Sequence, residues 1–120
     1  MAMDEKPVEI RKRTFDFSVK LIELLRSLEK NYIGDVLGKQ ILRSGTSIGA
    51  NVAEAYGSSS RRDFSNFFTI AYKSARETKY WLELFQETNK GDKAQTEALL
   101  KDLEHILKIL AASLRTLRGK

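Results

Sequence analysis

The chain has 120 residues, with 21 lysines and arginines against 16 aspartates and glutamates, a formal charge of +5. That length suits one domain whose core holds without a disulfide or metal staple, and the absence of cysteine removes thiol catalysis and thiolate metal sites. At 42% apolar and 31% charged, with no long apolar run, the composition is that of a water-soluble domain without a membrane partner; no apolar segment follows the N-terminal charges, so a cytoplasmic location is expected.

Pro7 is the one proline, so nothing from Val8 onward interrupts a helix. In the first segment, about 14–30, Phe17, Leu21, Leu24, Leu25 and Leu28 recur at threes and fours. Phe15, Val19 and Ile22 thicken that stripe on a neighbouring face, and Asn31 with Gly34 closes it. The dozen residues before it are charged and aperiodic and are expected to fray. The second segment, about 35–56, carries Leu37, Ile41, Ile48, Val52 and Ala55 in phase, and Gly57 supplies a left-handed stop. The third, about 61–88, holds its stripe from Phe64 through Ala71, Ala75 and Leu82 to Phe85. The fourth, about 93–118, is leucine-rich from Leu99 to Leu117. Ser60 with Asp63 and Asp92 with Gln95 are N-terminal capping pairs, and Gly91 ends the third segment. Short connections make successive helices antiparallel neighbours. The expected fold is all-α, an antiparallel up-down-up-down four-helix bundle forming a single domain over 1–120.

The second helix is unusual. Gly45, Gly49 and Ala53 fall at successive fours, with Gly38 two turns earlier on nearly the same face. Each interior glycine costs about 0.5–1 kcal/mol relative to alanine, so their repetition points to close backbone approach by another helix, the alternative being a loose or kinked helix. Ser44, Ser47 and Asn51 run beside that small face and need partners if buried. Asn51 and Glu54 are candidates to hold a neighbouring helix or subunit. A phosphate loop is excluded, because no strand precedes the glycines and the G-x-x-x-x-G-K-[ST] pattern is absent.

These residues carry a resemblance. The segment from Gln40 to Phe85 resembles a family of four-helix-bundle proteins first noticed as reading frames inside intervening sequences of bacterial 23S rRNA genes. Its Q-x-x-R-x-x-x-S-I-x-x-N-x-x-E core is matched by Gln40, Arg43, Ser47, Ile48, Asn51 and Glu54. A second block is matched by Arg62, Asp63, Phe64, Ile70, Ala71 and Lys73, and E-T-x-Y-W-L-E-L by Glu77 to Leu84. The chain departs from the pattern at Ile33-Gly34, where Tyr-Pro is frequent, and at Ser74, where Glu is frequent. The resemblance implies a ring-shaped homopentamer. The similar accessory variability protein of diversity-generating retroelements implies, in turn, a reverse transcriptase and nucleic acid as partners, met through a basic surface.

Catalysis has little to work with. His105 lies off the apolar stripe, the serines lack a nearby base, and the paired Glu-x-x-His spacing of di-iron bundles is missing. No enzyme, no cofactor and no metal is expected. Contact with RNA or DNA is the better candidate: Arg11, Lys12 and Arg13 cluster, Arg61 and Arg62 open the third helix, Lys73, Arg76 and Lys79 recur at threes, and Arg115 and Arg118 close the fourth. Any such binding would be directed at the phosphate backbone and tolerant of sequence. The other reading is a purely structural oligomer whose charges are solvated, with Glu77 and Glu83 neutralising part of the stripe. Tyr80, on an edge shared with Phe68 and Tyr72, is a candidate for a subunit interface.

Overall fold

The computed structural model describes the backbone of residues 5–119 and side chains from Glu9. Among the described residues every regular element is a helix: α1 (Glu5–Arg26), α2 (Tyr32–Gly57), α3 (Arg61–Glu87) and α4 (Lys93–Arg118). Each packs against its two neighbours, α1 against α2 and α4, and α3 against α2 and α4, closing a four-helix bundle 47 Å long. The core is one cluster in which every helix contributes at helical spacing, among them Phe17, Leu21 and Leu24 of α1 and Ile41, Ile48 and Val52 of α2. Facing them are Phe68, Leu82 and Phe85 of α3 and Leu103, Ile106 and Leu110 of α4.

Several boundaries differ from those expected. α1 begins at Glu5, so the charged segment is helical from there rather than frayed. Ile10 and Thr14 are buried on its inner face, and ion pairs Arg13–Glu9 and Lys12–Asp16 (2.9 Å each) brace its outer one. Residues 1–4 of that segment lie outside the described residues. The helix stops at Arg26, where the Ser27 hydroxyl donates to the Leu24 carbonyl. α2 begins at Tyr32 because Asn31 is its N-cap, its side chain accepting from the Gly34 N–H at 2.7 Å. Gly34 is therefore inside the helix and not its predecessor's stop. Gly57 does not adopt the left-handed conformation either; Ser58, in extended conformation, ends α2 by donating its N–H and hydroxyl to the Ala55 carbonyl. Ser60 and Asp92 cap α3 and α4 as their spacing predicts, accepting from Asp63 N–H and Gln95 N–H. Gly91 has φ 77°, the left-handed geometry a turn after α3 requires.

The small face of α2 is where α1 approaches. A Cβ on Gly45 would run into the Leu21 side chain, and one on Gly49 would sit 3.2 Å from the Thr14 carbonyl oxygen. The tight seam is thus closed within one chain, between α1 and α2. Ala53, further along the row, is exposed, and Gly38 has only ordinary contact with Leu25 and Leu28. Phe15, Val19 and Ile22, expected to thicken the inner stripe, point outward instead, Phe15 being 67% exposed. The stripe is wider than the surface α2 and α4 can cover.

Candidate nucleic-acid interface

The α2 motif residues face α3. Ser44 and Thr78, both fully buried, join their hydroxyls at 2.9 Å, and Ser47 joins Ser74 at 3.0 Å. The Asn51 amide donates to the Ser47 carbonyl and hydroxyl. These contacts give the polar row partners within one chain: Ser44 and Ser47 link α2 to α3, while both Asn51 bonds stay inside α2 and tie it to Ser47. Glu54 is exposed. Arg43 pairs with Glu77, whose carboxylate also accepts from the Trp81 indole N–H at 3.0 Å. Glu77 therefore faces α2 and does nothing to neutralise the basic stripe of its own helix. Those hydrogen bonds, from Trp81 first and Arg43 second, hold the Glu77 carboxyl below its usual 4.5. A carboxylate with a lowered folded pKa stabilises the fold above its unfolded value, and that contribution is lost as pH falls through the folded pKa. Tryptophan fluorescence should accordingly titrate with a midpoint under 4.5. Glu77→Gln should abolish that transition, and its melting temperature should lie below wild type at neutral pH but converge with it in acid.

On the opposite side of α3, the face turned to α4 forms a groove of two adjoining hollows of about 540 and 670 Å³. Tyr72, Arg76 and Ala111 are common to both hollows. Lys73, Arg76, Arg115 and Arg118 line one hollow; Arg76, Lys79 and Lys108 line the other. Five of the cations singled out in the sequence therefore share one surface. The antiparallel packing is the reason: it brings the C-terminal turns of α4 beside the first half of α3, so residues some forty positions apart become neighbours. Lys108 is a member that the sequence pattern did not single out. Its signal was available, three and seven residues from His105 and Arg115 on the exposed arc of α4, but the face of α4 beside α3 had to be known first.

Charge in the groove is uneven. Lys79 pairs with Glu104 at 2.8 Å, which raises the lysine pKa and lowers that of the glutamate, and Glu83 adds a second carboxylate at that end. Lys73, Arg76, Lys108, Arg115 and Arg118 have no ion-pair partner among the described residues. Arg118 reaches the Thr69 hydroxyl at 3.4 Å.

The other expected cations behave differently. Lys12 and Arg13 are paired along α1, and Arg11 lies over the Tyr56 ring, 4.8 Å from its centroid. That cluster belongs to the α1 surface and is not part of the groove. Arg61 donates to the Leu117 carbonyl, placing its charge on the negative end of the α4 dipole. This explains a cation at a helix start, where its own helix disfavours it. Arg62 is exposed. Phe68, expected to share an interface edge with Tyr80, is buried and stacks on Phe64 at 4.6 Å. Tyr80 is 59% exposed at the lip of the groove. His105 is exposed, and no three His, Cys, Asp or Glu side chains among the described residues converge as metal ligands. No described helix is long and apolar enough to cross a membrane.

The profile of the family described as 23S rRNA-intervening sequence protein matches residues 6–112. The chain belongs to that family. The match reaches into all four helices and ends within α4, before Arg115 and Arg118 of the groove. A crystal structure of a protein of unknown function from the S23 ribosomal protein family of Bacteroides thetaiotaomicron is similar, with 39% identity and a TM-score of 0.80. The match covers 88% of this chain and 98% of that one. No curated protein matches significantly.

Proposed function

We propose that the chain is a non-catalytic, homo-oligomeric adaptor that contacts RNA or DNA through the α3/α4 groove. The observation that carries this reading is the groove itself: cations from two helices converge on one trough, and most have no ion-pair partner among the described residues. Such a surface attracts a polyanion by releasing its counterions. Self-association is supported by Phe15, Val19 and Ile22, exposed in one row on α1, with Leu42 exposed on the adjacent helix. Assembly as a pentamer, and a protein partner such as a reverse transcriptase, follow from the family resemblance and complete the proposal. A five-membered ring would present five such grooves and multiply the chain's +5 by five.

A gel shift across a salt series, with light scattering on the same preparation, tests this reading. Binding should weaken steeply between about 50 and 200 mM salt, as roughly 6–10 phosphate contacts require, and the mass should be a multiple of 13.7 kDa. Absence of binding at about 50 mM salt would leave a purely structural oligomer; a monomer would end the oligomeric part.

A further inference from the structure

We infer that the α3/α4 groove takes single-stranded nucleic acid, with phosphates along its cationic half and an unpaired base against Tyr80; this rests on the nucleic-acid reading above. The groove is divided along its length. In the half lined by Lys73, Arg76, Arg115 and Arg118 no described side chain is a carboxylate, so these residues offer positive charge to a backbone. In the other half Lys79 is engaged by Glu104, and Glu83 shares the hollow with Lys108 and Arg76, so the net charge there is small. A phosphate gains little there, whereas an uncharged base pays no electrostatic penalty.

That weakly charged half is also the aromatic one. Tyr80 lies on its lip with more than half its surface exposed, and its ring is set edge-on to Trp81 at 5.2 Å, which is in turn held by Glu77. A ring supported from one side with a free face is a platform on which any base can stack. Tyr72 lines both halves, so aromatic surface continues towards the cations. A duplex cannot use this arrangement. Its bases are already stacked and paired, and it could present only phosphates to a trough between helices whose axes pack about 8–10 Å apart. An unpaired strand offers both chemistries in the order in which the groove presents them.

Fluorescence anisotropy at about 50 mM salt with labelled oligouridylate, oligothymidylate and a duplex of equal length tests the inference. At least one single strand should bind about fivefold or more tightly than the duplex, the low end of what one base–aromatic stack is worth. Which strand shows that margin separates RNA from DNA. Tyr80→Ala should erase the margin and leave duplex binding unchanged, Tyr80→Phe should keep it, and Tyr32→Ala, exposed on α2 outside the groove, should have no effect. Equal binding of strand and duplex, or an intact margin in Tyr80→Ala, overturns the inference while the nucleic-acid reading stands. No binding of any probe overturns both.

Discussion

Gly49→Leu is expected to lower the stability of the fold by about 1–2 kcal/mol, the upper range of overpacking costs less the helix-propensity gain from replacing a glycine. A Cβ at this position already lies 3.2 Å from the Thr14 carbonyl oxygen and 3.4 Å from its carbon, so the neighbour that must yield is backbone and not the end of a side chain. Only separation of α1 from α2 relieves the clash. Thr14 is itself tied down, its hydroxyl donating to the Ile10 carbonyl at 2.8 Å, which limits local adjustment. In a chain of 120 residues the destabilisation corresponds to roughly 4–8 °C in melting temperature. Gly49→Ala should stay within about 1 kcal/mol, since a methyl asks for a shift of only tenths of an ångström. Thermal melts followed by circular dichroism check both, and a leucine variant melting with wild type would show that α1 and α2 are not tightly seated.

Arg76→Glu combined with Arg115→Glu should cut nucleic-acid affinity by roughly a hundredfold at about 50 mM salt, about tenfold for each cation that no longer meets a phosphate. The slope of log affinity against log salt should fall by about two. The two residues sit on opposite walls of the groove and have no ion-pair partner among the described residues, so neither change breaks an ion pair that braces the described fold. Lys12→Glu provides the comparison. It has the same change of charge, but on a side chain already paired with Asp16 on α1, and it should alter binding by less than about threefold. Equal weakening from both sites would mean that net charge, and not the groove, draws the ligand.

Much of the architecture could be read from the residue pattern, and particular positions show why. Leu99, Leu103, Ile106, Leu110 and Leu114 must share one side of any helix they form, and a chain this short can bury such a stripe only against its own other helices. Ser60 and Asp92 mark helix starts because a side-chain oxygen satisfies an N–H that no preceding turn can reach, a requirement local in sequence. The first helix is less legible. The charges of its opening turns look like a solvated tail until Ile10 and Thr14 are seen to be covered, and that cover comes from a different part of the chain. Gly57 illustrates the same limit in reverse: glycine permits a left-handed stop, but Ser58 reached the Ala55 carbonyl first.

The number and order of the helices, their antiparallel arrangement and the presence of a glycine-lined close approach follow from residue pattern, because periodicity and capping are properties of one segment. Tertiary structure alone decided what each face meets. The glycines of α2 receive α1 of the same chain, the polar row of α2 binds α3, and Phe15 looks outward. It also gathered Arg76, Lys108 and Arg115 into one trough and left Arg11, Lys12 and Arg13 apart. A repeat of 3.6 residues fixes the angles between side chains on one helix but not the rotation of that helix against its neighbours. That rotation is set by the packing of all four together.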